Sequence, residues 1–375
     1  MPADYLIVGA GFSGLVMAEQ LSAAGASCVV VDRRAHIGGN CFDTRDSLGT
    51  LYHPYGPHYF RTNSQLVIAY LSRFTAWREV VYQVRAMARG KLWSFPINLA
   101  TYEQLIGRPA TEDDFKAYLK KPAQPPQNSR DAIIGIVGEE MYELFFRDYT
   151  FKQWGRPAEQ LDASVCQRIP IRTNRDDRYF TDAFQALPAA GYTAMFEKIV
   201  AATPRLELHL NTTFEEARAR FPHRHLIYTG PIDSYFDCKF GLLPYRTLRF
   251  ELEQKQPGEL DENGFAQKAL QINYTGTEPY TRTVEVKQIT GQVSPYSNLV
   301  REFPTEYIPG VSEPYYPIPN PDVERQAELY RQASATEPNV TFIGRMATYR
   351  YLNMDQVCAF ALQKAEQLKK AHGWN

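Results

Sequence analysis

The chain has 375 residues, 44% apolar and 22% charged, with 41 basic against 42 acidic side chains and a net charge of −1. That length predicts about two or three domains, and so even a balance argues against nucleic acid or a membrane surface as partner. No apolar run approaches the roughly 20 residues of a membrane span, and five scattered cysteines (28, 41, 166, 238, 358) without CxxC spacing argue against structural zinc, any other metal centre and a disulfide framework, and fit a reducing cytoplasm.

Residues 4–9, with Tyr5, Leu6, Ile7 and Val8, read as a buried parallel strand reached within four residues of Met1, which predicts no cleavable signal. A helix from about Ser13 to Ala24 and a second strand over 28–32 complete a strand–helix–strand unit, the start of a doubly wound sheet. Residues 100–187 turn helical: Thr111 with Asp114 forms a capping box, Pro122, Pro125 and Pro126 force a break, and Ile133, Val137, Met141 and Leu144 recur at helical spacing from Ser129 on. Strands at 206–210 and 226–230 return to the first domain. Residues 245–303 then alternate, with Leu248, Phe250 and Leu252 against Arg249, Glu251 and Glu253. A last strand at 340–344 precedes an amphipathic helix from Asp355. The fold class expected is α/β: a discontinuous FAD-binding, Rossmann-like domain (1–75, 188–240, 335–375), a helical domain (97–187) and an antiparallel sheet domain (76–96, 241–334). Twenty-four tyrosines suit a cleft that stacks rings and donates hydroxyl hydrogen bonds, and equally suit an ordinary core.

Gly9, Gly11 and Gly14 form GAGFSG between strand and helix. The first glycine permits the turn, the second lets backbone approach a pyrophosphate, and the third brings helix close to strand. Asp32 ends the second strand, placed to accept from an adenosine ribose. FAD is favoured over NAD by the second glycine turn, Gly38–Gly39–Asn40, and by the late pair Gly344–Arg345 and Asp355–Gln356, which offers a flavin further backbone donors.

Longer segments then become specific. DRRAHIGGN (32–40), YGPHYF (55–60), FPINL (95–99), FFRDYTFKQWG (145–155), YTGPIDSYF (228–236), YRTLRFE (245–251), EPYTRTVE (278–285), EPYYPI (313–318) and GRMATYRYLNMDQ (344–356) occur in an order in which the chain resembles the bacterial UDP-galactopyranose mutases over nearly its whole length. The resemblance implies a cytoplasmic isomerase of cell-wall polysaccharide biosynthesis. N5 of reduced FAD attacks the anomeric carbon of a UDP-sugar and expels UDP, and the opened ring recloses as a furanose with no net redox. It further implies an external reductant such as NAD(P)H and a possible homodimer, with no membrane insertion. FAD would rest on Gly9, Gly11, Phe12, Ser13, Gly14, Asp32, Arg33, Gly39, Asn40, Tyr55, Gly56, His58, Arg246, Gly344, Arg345, Tyr351, Asp355 and Gln356.

For the substrate, the resemblance puts Arg168 and Arg282 on the pyrophosphate, where planar guanidinium forks suit phosphate oxygens, with the hydroxyls of Tyr179, Tyr316 and Tyr351. Tyr149 would stack on uracil beside Phe145, Phe146 and Thr150, and Trp154 would line the sugar site. Arg168, Arg282, His58 and Arg246 are the implied catalytic set. Three positions depart from the family pattern: Arg61 for a second histidine, Asn353 for an aspartate and Tyr82 for an asparagine. They predict that Arg61 lends the flavin positive charge and that sugar preference is tuned: interconversion of UDP-galactopyranose and UDP-galactofuranose is the leading reading, and an N-acetylated, 6-deoxy or heptose nucleotide the alternative. The other classes left open are an amine-oxidase-type FAD oxidoreductase and a flavin-bound protein that has lost catalysis.

Overall fold

The apolar segment at residues 5–8 forms the centre of a parallel sheet in the computed structural model, which describes residues 1–120, 124–167, 169–318 and 321–374, without the side chains of Pro321 and Asp322. The five strands run in the order Leu206–His209, Cys28–Val31, Ala3–Val8, His223–Tyr228, Val340–Phe342. In chain order this is 3-2-1-4-5, a Rossmann-type arrangement with its switch point between Ala3–Val8 and His223–Tyr228. The helices Phe12–Ala23 and Met354–His372, from opposite ends of the chain, pack against each other. Tyr5 on the first strand and Leu15 on the first of these helices are buried to 1% exposure or less.

The second sheet has seven strands, ordered Tyr316–Pro317, Tyr245–Lys255, Ser297–Glu306, Arg282–Val284, Gln271–Tyr274, Val84–Ala88, Lys91–Phe95. It departs from the expected all-antiparallel pattern at one place, because Gln271–Tyr274 runs parallel to Val84–Ala88. Those two strands lie far apart in sequence, so no hairpin constrains their direction. Apolar alternation along Tyr245–Lys255 buries Leu248 but leaves Leu252 38% exposed, as the strand outruns the layer beneath it. Trp77–Glu79, expected in this sheet, instead joins a small antiparallel one with Phe60–Thr62 and Phe184–Pro188.

Against the seven-stranded sheet pack the helices Leu99–Ile106, Ser129–Phe145 and Arg147–Trp154, with Glu112–Tyr118 on the first of them. Thr111 and Asp114 form the expected capping box, while Pro122 lies outside the described residues. Ile133, Val137, Met141 and Leu144 all face the core. The helix is not continuous: Gly138 adopts φ 81°, and the carbonyls freed around this kink accept from Lys120 N–H at 2.8 Å and Tyr118 Oη–H at 2.9 Å. All five cysteines are free thiols, and no helix among the described residues is long and apolar enough to cross a membrane.

Phe196, on the helix Tyr192–Ala201, is the wedge under the nucleotide-binding end of the parallel sheet. Fully buried, it meets the Phe12 ring edge-on at 4.8 Å, and its Cδ2 lies 3.1 Å from where a Cβ on Gly38 would stand. Phe196→Ala is expected to cost about 3–5 kcal/mol through lost burial and a cavity that the two glycine turns cannot collapse to fill. Thermal or urea denaturation checks this; a loss below about 1 kcal/mol would show that the turns hold themselves.

Candidate functional site

At the switch point three glycine turns converge. Gly9 (φ +107°) lies under Thr229, whose Oγ1 would stand 2.1 Å from a Cβ there, and a Cβ on Gly14 would fall 1.9 Å from the Gly9 oxygen. Both positions are glycine for reasons internal to the protein. Gly11 is different. Its φ is −92°, and an added Cβ would meet nothing nearer than Gly39 Cα at 3.7 Å. Neither conformation nor packing demands glycine at 11, so the open space above it is the requirement, and it suits a pyrophosphate facing the helix N-terminus. Gly38 N–H donates to Ala10 O at 2.8 Å, and Gly344 packs so closely that a Cβ would lie 2.8 Å from Ser13 Oγ, so the early and late turns form one crevice. Asp32 closes its floor, accepting Ala10 N–H at 2.8 Å and Arg34 N–H at 2.9 Å; each carboxylate oxygen keeps a lone pair for a ribose hydroxyl.

Asn40 and Arg345, each one residue beyond a crevice glycine, also line a cleft of about 580 Å³ that runs on toward the seven-stranded sheet. Of the residues expected to hold substrate, Phe145, Phe146, Tyr149, Thr150, Trp154, Tyr179, Arg282, Tyr316 and Tyr351 all line it, as do Tyr55, Gly56 and His58. Arg168 lies outside the described residues. Arg282 sits directly opposite Glu302 across two strands and donates to its Oε1 at 2.6 Å. Burial opposes the charge on Arg282, but Glu302, followed by Tyr149 and Tyr316, overrides it and keeps the guanidinium protonated well beyond its ordinary range. Burial, then Glu302, pushes the Tyr316 hydroxyl up to about 12, so it remains a donor at neutral pH. Arg345 stands 5.3 Å from the Tyr316 ring and 5.1 Å from that of Tyr351, fixed by carbonyls of Leu352 and Tyr315.

His58 donates from Nδ1 to Gly56 O at 2.8 Å; since a carbonyl only accepts, Nε2 is left as a bare acceptor. Its own N–H donates to His53 Nδ1 at 3.0 Å. Burial, then the neighbouring His53, depresses the His58 ring to about 3, and burial takes His53 to about 4. Both rings are neutral at physiological pH.

Some expected residues face elsewhere. Arg246 does not line the cleft: 5% exposed, it turns inward to donate to the carbonyls of Gln153 (3.1 Å) and Lys152 (3.3 Å), closing the C-terminus of Arg147–Trp154. The Phe12 side chain is core, and Arg33 reaches outward to Glu313. Asp355 and Gln356 open the last helix, where Gln356 Oε1 accepts Asn353 N–H at 2.9 Å. Arg61 lines the cleft but its charge is already matched, 2.6 Å from Asp182 and 4.2 Å above the Phe180 ring. The expected free positive charge near a flavin is therefore corrected to an ion pair. Tyr82, also in the cleft, donates to Gln271 Oε1 at 2.5 Å, and Gln271 Nε2 donates to Asn273 Oδ1 at 2.7 Å. Sequence reasoning passed over Gln271, Asn273 and Glu302. Polar side chains at alternate positions around the buried Ile272 were a readable sign for the first two; Glu302 needed the cross-strand register.

A family model described as UDP-galactopyranose mutase matches residues 144–351, and one described as NAD(P)-binding Rossmann-like domain matches 7–74. The chain is 36% identical to a Klebsiella pneumoniae protein named "Probable UDP-galactopyranose mutase", over 97% of this chain and 94% of that one. It is 34% identical to an Escherichia coli dTDP-fucopyranose mutase, over 96% and 97%. A crystal structure of a reduced UDP-galactopyranose mutase superposes with a TM-score of 0.76 at 18% identity, covering all of this chain and 95% of that one.

Two outcomes are expected. Gly11→Ala should fold, with the melting temperature of cofactor-free wild type, yet lose bound dinucleotide, whereas Gly14→Ala should fail to fold; absorbance of the purified protein and a melting curve separate them. A Gly11→Ala protein with full cofactor would remove the pyrophosphate assignment. For His58, the native ring binds its proton below the ordinary value of about 6.5, so between pH 6.5 and about 3 the unfolded chain binds more protons than the native one. The contribution is whole above pH 6.5 and is lost as pH falls toward 3. Melting temperature should thus drop less steeply on acidification in His58→Gln than in wild type; parallel curves would mean that His58 is not the source.

Proposed function

The chain belongs to the UDP-galactopyranose mutase family, and on that premise we propose that it interconverts the pyranose and furanose forms of a nucleotide-linked hexose, with UDP-galactose the leading substrate. It is an isomerase whose cofactor is FAD. The observation that carries the reading is the pairing of a cofactor crevice, open above Gly11, with an adjoining cleft in which Arg282 and Tyr316 present permanent donors. When bound and reduced, FAD supplies a nucleophile for the anomeric carbon.

The protein's part is placement and charge. Phe145, Phe146 and Tyr149 offer an aromatic seat for the base. As the bond from the anomeric carbon to UDP breaks, negative charge grows on the β-phosphate, and Arg282 with the hydroxyls of Tyr179, Tyr316 and Tyr351 takes it up. Arg168 is the proposed second phosphate arginine. Glu302 keeps Arg282 in place while leaving the remaining donors of its fork free. His58, neutral, offers Nε2 as an acceptor. Because the pyranose and furanose forms are isomers of the same oxidation level, no electrons are consumed. We propose an external reductant such as NAD(P)H only to keep the flavin reduced, in a cytoplasmic protein able to form a homodimer.

A related sugar is the second reading, favoured by Tyr82. Its ring lies 4.7 Å from Tyr59 and 5.5 Å from Phe180, and its hydroxyl is already committed to Gln271. This wall is more apolar than an asparagine would make it, which suits a sugar lacking a hydroxyl. Reduced protein given UDP-galactofuranose should form pyranose without stoichiometric oxidation of NADPH, seen by chromatography. Activity in the oxidised state, or one NADPH per turnover, would remove the mutase reading. Arg282→Ala should weaken UDP binding by about 10- to 100-fold, from a charge-assisted contact of about 1.5–3 kcal/mol. A panel of UDP- and dTDP-linked hexoses should rank differently for wild type and Tyr82→Asn; an unchanged ranking with UDP-galactose on top returns Tyr82 to neutral variation.

A further inference from the structure

Residues 175–183 run along the cleft outside any helix or strand, yet Tyr179, Phe180 and Asp182 all line it. One end of this strap is held by main chain: Gln83 and Arg178 form a bridge, and Tyr179 N–H donates to Tyr82 O at 3.0 Å. The other end is held by side chains in and beside the small antiparallel sheet. Asn63 Oδ1 accepts Ala183 N–H at 2.8 Å, and Gln185 Nε2 donates to the carbonyls of Phe180 and Asp182 at 3.2 and 2.9 Å. Those contacts grip backbone, which any sequence would offer. Arg61, directly across the sheet from Gln185, grips side chains instead. Its Nη1 donates to Asp182 Oδ2 at 2.6 Å while its guanidinium covers the Phe180 ring at 4.2 Å, and that ring meets Tyr179 edge-on at 4.9 Å. The side chains of Arg61 and Asp182 are 25% and 15% exposed, so salt and water screen the pair only in part.

From this we infer that Arg61 is a positioning residue for the Tyr179 hydroxyl proposed to meet the phosphate, an inference that rests on the mutase reading. A hydroxyl serves a phosphate only within hydrogen-bond range, and a segment with no ladder of its own opens readily unless something fixes it. Order imposed before the ligand arrives is not subtracted from binding. The residue type matters, because the family pattern carries histidine at this position. A planar guanidinium donates from its edge to Asp182 and lays its face on Phe180 at the same time. A neutral imidazole has a single N–H and no charge for the carboxylate. The two contacts fall one and three residues beyond Tyr179, so together they fix both the place and the rotation of the strap there. Arg61 is committed to them and acts through Tyr179 rather than on the flavin.

The test is calorimetric titration of UDP into the reduced holoenzyme. Arg61→Ala should bind UDP about 3- to 10-fold more weakly, with FAD retained and its reduction potential unchanged. Arg61→Lys, which keeps the charge without a face to stack, should recover part of the loss. Tyr179→Phe removes the hydroxyl being positioned, so adding Arg61→Ala to it should cost less than about twofold more. Losses that simply multiply would mean that Arg61 meets the ligand itself, and would overturn the inference. So would a shifted flavin potential with UDP affinity intact, which returns the charge to the cofactor. Should Arg61→Ala not fold, Asp182→Asn carries the same double-mutant comparison, since it leaves the Phe180 contact and removes only the charged anchor. Wild-type UDP affinity in Arg61→Ala would remove this inference alone; a wild-type protein that binds no UDP would remove the mutase reading with it.

Discussion

A side chain at position 14 would begin 1.9 Å from the carbonyl oxygen of Gly9, and the architecture of the site depends on that absence. With no Cβ in the way, the helix Phe12–Ala23 lies directly on the first strand and its unpaired N–H groups face the end of the sheet. What reaches this point is backbone or a short polar side chain. The Gly38 turn hydrogen-bonds to Ala10, Thr229 closes over Gly9, and Gly344 comes down on Ser13. Once the crevice is fixed, Asn40 and Arg345 have no choice but to border the cleft beyond it.

The cleft itself has a different logic, in which charge is paired before any ligand arrives. Arg282 has Glu302 and Arg61 has Asp182, while Arg345 is held by the carbonyls of Leu352 and Tyr315. A buried cation without such a partner would carry a heavy desolvation penalty. The pairs cost the site little, because each guanidinium keeps donors on its other edge. The tyrosines then add donors that carry no charge at all, so the cleft can accept a dianionic diphosphate without first assembling a surplus of positive charge.

What could be read from the chain divides along the same line. The crevice was legible because its rules are local: a glycine spacing, a strand before it, a helix after it and an acid ending the next strand. The aromatic and arginine residues of the cleft came through resemblance, and the structure brings all but Arg246 and the undescribed Arg168 to its walls. What escaped depends on partners distant in sequence. Arg61 looked like an unmatched charge because Asp182 lies 121 positions away. Arg246 looked like a cofactor contact because the carbonyls it serves sit on a helix 93 positions earlier. The kink at Gly138 was hidden because the apolar spacing on either side stays helical, and the carbonyls it releases are taken up by Tyr118 and by Lys120 N–H from the preceding segment.

The order of strands in the parallel sheet has a consequence for how the chain comes into being. Its central strand is made well before the edge strand Val340–Phe342 and the helix Met354–His372 that covers Phe12–Ala23. At about 5–20 residues per second, the apolar face of the opening helix waits on the order of tens of seconds for its cover. During that interval the two inserted regions emerge. The cofactor crevice, finished by Gly344 against Ser13, is therefore completed only after both inserted regions have been made.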